Sequence, residues 1–173
     1  MRLAGERVAL VPVPHDIALA VVRHEDVSEV LAGHGLHAAP GWPHADSADA
    51  LRPHAEYGGD GPAKGTFLIT VDGEVIGDCG WRGGPDARGD AEIGYGLSPA
   101  ARGRRLGTEA VGVLAAWVER QPGVRRVSAE VLIGNEPSRR LLTRLGFDAE
   151  DGSPPYVTYV RDAPTLDDIA DSG

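Results

Sequence analysis

A strand, a basic loop and an amphipathic helix follow one another between residues 91 and 118, and this succession limits the possible folds more than any other feature. The segment AEIGYGL alternates as a strand does, SPAARGRR follows it, and apolar residues then recur at helical spacing until Gln-Pro-Gly. Arg102, Arg104 and Arg105 therefore precede a helix, whose free N–H groups and dipole attract anions. The sequence predicts a phosphate-binding turn at this point.

Two familiar phosphate motifs do not account for this turn. The Walker loop requires Ser or Thr after its lysine, but Lys64 is followed by Gly65. The dinucleotide fingerprint requires a third glycine after Gly94 and Gly96, but Pro99 stands in that place. The predicted site therefore relies on the helix N-terminus itself, where a pyrophosphate group fits.

Composition narrows the class of protein. We assign one domain to residues 1–163 of the 173 residues, and we expect the acidic residues 164–173 to form a mobile tail. A formal net charge of −9 argues against a nucleic-acid partner, which needs a broad basic surface. The chain shows neither the apolar core of a signal peptide nor a membrane-spanning run, and its single cysteine, Cys79, fits a reducing compartment. We therefore expect a cytoplasmic protein that does not bind membranes.

The order of the predicted elements indicates an α/β fold with a mixed sheet flanked by helices. One strand and two helices come first, three strands follow in succession, and the chain then alternates as helix, strand, helix and strand. Asp72-Gly73 predicts a tight hairpin, and the segment PPYVTYV is predicted to close the sheet. Residues 33–65 are the least regular part, with one short helical segment, and we expect them to form a lid or a substrate loop.

Two stretches of the chain carry a family resemblance. LSPAARGRRLGTEA resembles the acyl-CoA loop of the GNAT superfamily of N-acetyltransferases, whose pattern is Arg/Gln-x-x-Gly-x-Gly/Ala, and NEPSRRLLTRLGF is similar to the family's Asn-x-x-Ser/Ala stretch. With AEIGYGLSP, they resemble in particular the ribosomal-protein N-terminal acetyltransferases of the RimJ/RimL type. The resemblance covers residues 67–160. It implies a mostly antiparallel sheet in which splayed central parallel strands hold acetyl-CoA, with no metal.

The resemblance also implies roles for individual residues. The main chain of Leu97 would pair with the pantetheine arm, and its N–H would polarise the thioester carbonyl. Asn135 would bind the same arm, Ser138 would lie near the sulfur, and Arg139 or Arg140 would meet an outer phosphate. The residues of the implied pyrophosphate loop are Arg102, Gly103, Arg104, Arg105, Leu106, Gly107 and Thr108.

The chain departs from the family pattern at two positions. Arg105 stands where the pattern has its first glycine, so its side chain either points away, adds a contact to phosphate or weakens binding. Leu142 stands where relatives carry a tyrosine as general acid. Ser138, Tyr156 or Tyr159 would have to replace that tyrosine, although a thiolate is a good enough leaving group for a strong acid to be unnecessary.

Glu92 is the candidate general base for an amine, which must lose a proton during acyl transfer. It alternates with Ala91 and Ile93 along a strand, and a carboxylate inside a core strand needs a partner or a function. A salt bridge at the strand end is the structural alternative. Asp78 is a second candidate base.

Four histidines of the irregular segment allow a metal site or a contact with substrate: His34, His37, His44 and His54. Their spacing matches no compact ligand pattern, so no metal is predicted. Trp42 and Tyr57 are candidates for stacking on a substrate. We expect Trp81, Trp117 and Cys79 to be core residues.

The predicted function is transfer of an acetyl group from acetyl-CoA to a primary amine, by direct attack in a ternary complex. The acceptor is either a protein N-terminus or a small-molecule amine. The alternatives are a transferase of another acyl group such as succinyl or one acting on a hydroxyl, a non-catalytic acyl-CoA-binding module, and a scaffold that has lost the cofactor. A homodimer is common in the family, and the sequence neither requires nor excludes it.

Overall fold

A nine-stranded mixed sheet organises the computed structural model, which describes residues 1–58 and 65–165. The strands are β1 (Leu3–Ala4), β2 (Ala9–Pro12), β3 (His37–Ala38), β4 (Thr66–Val71), β5 (Glu74–Trp81), β6 (Asp90–Leu97), β7 (Arg126–Leu132), β8 (Asp148–Glu150) and β9 (Tyr156–Asp162). Their order is β1-β2-β4-β5-β6-β7-β9-β8, and β3 pairs with the start of β5. The pairs β6–β7 and β3–β5 are parallel, and the others are antiparallel, which confirms the predicted mixed sheet.

Helices cover both faces of this sheet. They are α1 (His15–Val22), α2 (Ser28–Gly33), α3 (Ser47–Tyr57), α4 (Leu106–Val118) and α5 (Glu136–Arg144). One core lies under α4 and α5 and includes Phe67, Ile93, Leu106, Leu114 and Leu142. The second core lies under α1, α2 and α3 and includes Ile17, Leu31, Leu51, Leu68 and Val75. Neighbouring strand residues such as Phe67 and Leu68 enter opposite cores, as the alternation of a strand requires.

The structure confirms two local features predicted from the sequence, a hairpin turn and a helix cap. Asp72 and Gly73 both have positive φ, +49° and +85°, as a two-residue hairpin between β4 and β5 needs. At the start of α5, the Asn135 side chain accepts a hydrogen bond from the Ser138 N–H at 3.3 Å, which is the predicted helix cap.

The structure corrects the predicted edges of the sheet. The short strands β1, β3 and β8 were not predicted, and β8 lies outside β9, so PPYVTYV does not close the sheet. All three residues of β8 are exposed, so its sequence carries no apolar alternation from which a strand could be recognised. The predicted tail at 164–173 lies, from residue 166 onward, outside the described residues. Within the described ranges, no helix has the length and apolar character needed to span a membrane.

The two parallel central strands separate along their length. β6 and β7 are paired at Asp90–Arg126, Ala91–Val127 and Glu92–Ser128. Beyond Glu92, the described ladder of β6 continues only on the β5 side, through Leu97. The predicted splay is confirmed, and it leaves a groove between residues 93–97 of β6 and residues 129–132 of β7.

Candidate active site

The groove exposes backbone groups of β6 that a normal sheet would pair. The N–H of Ser98, just after β6, donates to Ile76 O at 2.8 Å on the β5 side. Because successive N–H groups of a strand point in opposite directions, the Leu97 N–H points to the groove. The structure thus places the backbone donor predicted at Leu97 at the end of the opening.

The arginine loop lies between Leu97 and α4. The four arginine-loop residues 102–105 are exposed, and the Arg102 guanidinium donates to Leu97 O at 3.2 Å. Leu106 and Gly107 are buried under the loop, and Thr108 is half-buried in the first turn of α4. Three N–H groups at this helix start have no acceptor within the helix, so the loop presents both charge and backbone donors to an anion.

Arg105 adopts a backbone conformation that favours glycine. Its φ of +59° lies in the left-handed region, which glycine enters freely and other residues enter at a cost. The side chain is exposed, so it does not fill the turn. The arginine at this position is therefore compatible with the left-handed turn before α4, and its side chain points to the surface.

Glu109, in the first turn of α4, connects the start of this helix to the turn between β1 and β2. Its carboxylate accepts hydrogen bonds from the N–H groups of Arg7 and Val8 and lies 3.1 Å from Arg7 Nε, while Arg7 Nη1 donates to Arg104 O. Burial raises the pKa of Glu109, but these hydrogen bonds and the Arg7 charge outweigh it and hold the pKa below its ordinary value.

The start of α5 forms the other wall of the groove. Asn135 is exposed and Ser138 is half-buried. Arg140 is exposed and lies 3.4 Å from Glu136, whereas Arg139 donates to the Tyr159 hydroxyl at 3.3 Å. These arginines line a hollow of about 340 Å³ on the outer side of α5. Leu142 is fully buried, so the position where relatives carry a tyrosine belongs to the core.

Tyr95 was not among the predicted site residues. It lies in the unpaired part of β6, and its buried hydroxyl has no hydrogen bond of ordinary geometry to the described residues. Burial raises the pKa of Tyr95 to about 12, and the nearby Ser138 side chain opposes that rise. A tyrosine in the core pattern of a strand resembles a packing residue, which is why the sequence did not identify it.

A pocket of about 680 Å³ lies on the face of the sheet that α3 covers. Its floor is backbone, because Gly80 on β5 and Gly94 and Gly96 on β6 carry no side chains. Polar side chains surround it, namely His44, Asp46, Asp49, Asp78 and Arg82. The pocket and the groove share residues 94–96 of β6. The pocket lies on the face of this strand, and the groove runs along its edge.

Asp78 is the buried centre of a side-chain cluster in this pocket. Only 2% of it is exposed, and its Oδ2 accepts hydrogen bonds from Trp42 Nε1 at 3.0 Å and from Ser47 Oγ at 2.6 Å. His44 Nε2 lies 3.2 Å from the same oxygen. Trp42 is therefore a buried donor whose ring is not available for stacking on a substrate, and Tyr57, the other candidate, is 63% exposed outside the pocket lining.

Glu92 lies farther along the same face of β6. Its carboxylate is 3.2 Å from Arg82 Nη1, so the salt bridge weighed from the sequence is present. The side chain is partly exposed and does not line the pocket itself, although Arg82 does.

The remaining histidines of the irregular segment are dispersed. His34 pairs with Asp16 at 2.9 Å, His37 lies 3.8 Å from Glu74, and the His54 ring faces His15 in the neighbouring helix. Over the described ranges, histidine, cysteine, aspartate and glutamate side chains form no group of three or more suited to a metal ion. As expected, Cys79 is buried, and burial raises the pKa of its thiol. Trp81 and Trp117 pack edge to face beside the core, with ring centres 5.8 Å apart.

Comparison with known proteins gives the class to which this fold and site belong. The family described as acetyltransferase (GNAT) domain matches residues 7–148. The uncharacterized N-acetyltransferase YjdG of Bacillus subtilis is 24% identical over 159 residues, which are 89% of this chain and 92% of that protein.

Solved structures share the fold at low identity. RimL, the ribosomal L7/L12 alpha-N-protein acetyltransferase in complex with coenzyme A, has a TM-score of 0.66 and 17% identity over 94% of this chain and 98% of its own. Mycobacterium smegmatis RimJ with CoA-disulfide has a TM-score of 0.63 and 23% identity over 94% of this chain and 88% of its own. The chain belongs to the GNAT acetyltransferase family. It is an N-acetyltransferase whose acetyl donor is acetyl-CoA.

Proposed function

We propose that this acetyltransferase holds a primary amine in the pocket under α3 and transfers the acetyl group to it by direct attack in a ternary complex. One observation carries the proposal: the groove and the pocket meet at residues 94–96 of β6. A thioester in the groove and an amine in the pocket would both reach the same short stretch of backbone. Holding two reactants in such proximity supplies much of the acceleration of an acyl transfer.

The groove fits the acyl-CoA donor. Backbone N–H and C=O groups of β6 beyond Glu92 are available to the amides of a pantetheine arm, and Asn135 lies at the opposite wall. The arginine loop, residues 102–105, and the start of α4 provide the donors that a pyrophosphate needs. Arg140 is exposed and available to an outer phosphate.

The pocket fits an amine. Asp46, Asp49 and Asp78 give it negative charge, which attracts an ammonium group. Direct attack is favoured over a covalent enzyme intermediate because the single cysteine is buried and its raised pKa opposes the reactive thiolate.

Groups near β6 are candidates for stabilising the oxyanion and for moving the protons of the reaction. The Leu97 N–H would stabilise the oxyanion as the amine adds to the carbonyl. Ser138, with Tyr95 beside it, would protonate the leaving thiolate. Glu92 remains the sequence-predicted proton acceptor. It stands four residues before Gly96, about 13 Å along a strand, so it would act through water.

The proposal extends to the class of acceptor, to the location of the protein in the cell and to its oligomeric state. RimL acts, by its name, on a protein α-amine. We infer that a protein N-terminus or a small-molecule amine is the acceptor here, in the cytoplasm, where a lone buried cysteine stays reduced. A homodimer is compatible with the proposal but is not required by it.

Calorimetric titration with acetyl-CoA tests the donor site. We expect the wild type to bind and Arg102→Ala to bind about 10-fold more weakly, because one charge-assisted contact to phosphate is worth that much. Arg23→Ala, an exposed arginine at the end of α1, is the matched control and should bind like the wild type. No binding by the wild type would refute the proposed function.

Release of free thiol then separates turnover from binding. Acetyl-CoA would be incubated with spermidine and with an alanyl peptide that has a free α-amine. Thiol release that depends on either amine supports the transferase. Binding without release from any amine of a wider panel would identify the non-catalytic acyl-CoA module, and a preference for succinyl-CoA would identify the other donor.

A further inference from the structure

We propose that His44, oriented by Asp78, accepts the proton of the attacking amine. The inference rests on the proposed function, because it needs a thioester in the groove and an amine in the pocket. It assigns a catalytic role to a residue of the irregular segment, which matched no sequence motif.

The His44 ring lies against the backbone of β6. A Cβ atom built on Gly96 would lie 2.5 Å from both Cε1 and Nε2 of the ring, so the imidazole rests directly on the strand backbone. Gly96 immediately precedes Leu97, whose N–H faces the groove. The ring is therefore beside the backbone on which the carbonyl would be polarised, and it lines the pocket from which the amine would attack.

Neighbouring side chains hold the His44 ring in place. His44 Nε2 lies 3.2 Å from Asp78 Oδ2, at ion-pair distance though without the angles of a hydrogen bond, and we assign proton acceptance to the other ring nitrogen, Nδ1. Ser47 ties the cluster together, because its Oγ accepts the His44 N–H at 3.1 Å and donates to Asp78 at 2.6 Å. Trp42 Nε1 donates to the same carboxylate oxygen at 3.0 Å. A base positioned by a buried carboxylate in this way keeps one tautomer and one orientation.

The charges around His44 suit a base. Burial lowers the pKa of His44, but the contact with Asp78 and the negative charges of Asp78 and Asp46 outweigh that effect and raise it above its ordinary value, with Arg102 opposing them. These groups face the ring from β5, from the residue before α3 and from the loop after β6. A proton acceptor with a pKa near neutral pH is the most efficient general base.

The proton balance of the step is complete. The bound ammonium first gives one proton to His44 Nδ1, and the neutral amine nitrogen then forms a bond to the thioester carbon. The carbon–sulfur bond breaks with the electron pair on sulfur. The second proton of the nitrogen reaches the thiolate through water or through the hydroxyl of Ser138 or Tyr95, which gives up one proton and regains another. His44 returns its proton to solvent through the pocket, and Glu92 at the far end of the same face can receive it through water.

Kinetics of His44→Gln provide the test. We expect kcat/KM for the amine to fall by about 100-fold or more, the contribution of a general base, with unchanged affinity for acetyl-CoA. The wild-type rate should fall as the pH drops through the His44 pKa, and the variant should lose that dependence. His37→Gln, an exposed histidine 3.8 Å from Glu74, is the control and should match the wild type.

Asp78→Asn tests the effect of the Asp78 charge on His44 in a variant that can keep the hydrogen bonds of the fold. The amide keeps an oxygen for Trp42 and Ser47 but removes the charge, so the His44 pKa should fall and the acid limb of the rate should move to lower pH. NMR titration of the histidine ring measures that pKa without any acceptor.

The outcomes distinguish this inference from the proposed function. A wild-type pH profile and rate in His44→Gln would refute the role of His44, and loss of the acid limb in Glu92→Gln instead would assign the base to Glu92. Failure of the wild type to bind acetyl-CoA would overturn the proposed function itself, and with it this inference.

Discussion

The groove and the pocket meet on one strand but are built from different parts of the chain. The groove uses backbone: the Leu97 N–H, the first turn of α4 and the left-handed turn at Arg105. The pocket uses side chains, with Asp78 at the centre and His44 above the glycine floor. A site made of backbone tolerates a change of side chain as long as φ and ψ are kept. A site made of buried side chains does not.

Gly96→Ala is the change from which we expect the largest effect, because it disturbs the pocket directly. The new Cβ would overlap the His44 ring, so the imidazole must move away from the strand. We expect kcat/KM for the amine to fall by about 100-fold, as in His44→Gln. Steady-state kinetics with the amine that supports thiol release measures this.

Gly94→Ala is its matched control on the same floor. Its Cβ would lie 3.2 Å from Arg82 Nε, at the end of a flexible side chain that can move. We expect a loss of only a few-fold. Equal losses in the two variants would show that the pocket floor tolerates no side chain at either position. The loss in Gly96→Ala could then not be attributed to displacement of the His44 ring.

Glu109→Gln should reduce stability and leave the chemistry unchanged, because it loosens the support of the arginine loop. We expect the free energy of unfolding to fall by about 2 kcal/mol at neutral pH, as is typical for hydrogen bonds to a charged group. The pKa of Glu109 is depressed in the folded state, so this stability is present above the unfolded pKa and is lost as the pH falls through the folded one.

Urea unfolding at neutral and acidic pH checks this prediction. The difference between wild type and Glu109→Gln should shrink below the ordinary carboxyl pKa. Glu29→Gln, an exposed glutamate in the first turn of α2, should change stability little at either pH. A difference that persists in acid would mean that packing, not charge, holds the loop.

Arg105→Gly should have the smallest effect and the opposite sign. Glycine adopts the φ of +59° without the steric cost that arginine pays, so we expect about 1 kcal/mol of added stability and no loss of acetyl-CoA affinity. Thermal unfolding and calorimetry measure the two quantities. Arg104→Gly, where φ is not positive, should not stabilise. Weaker acetyl-CoA binding by Arg105→Gly would show that the side chain contacts phosphate, which would weaken the contrast between groove and pocket.

The sequence by itself determined most of the helices and strands, and the family resemblance added the splay of the central strands. The hairpin at Asp72-Gly73 and the cap at Asn135 were predictable because each depends on residues within about a turn of one another. The mixed sheet followed from the order of the elements. The family resemblance rests on the same stretches. Backbone sites leave such local patterns, since the residues that shape a turn must be neighbours in the chain.

The tertiary structure alone decided the pocket. His44 and Asp78 are 34 positions apart in sequence, and the hydrogen bonds of Asp78 span 31 and 36 positions. They meet because α3 packs over β5 and because glycines on β6 leave room for the ring. The edge strands could not be predicted from the sequence either. The strand β8 has no buried side chain, so its place in the sheet comes from pairing with β9. Long-range packing brings these residues together, and no spacing in the sequence encodes it.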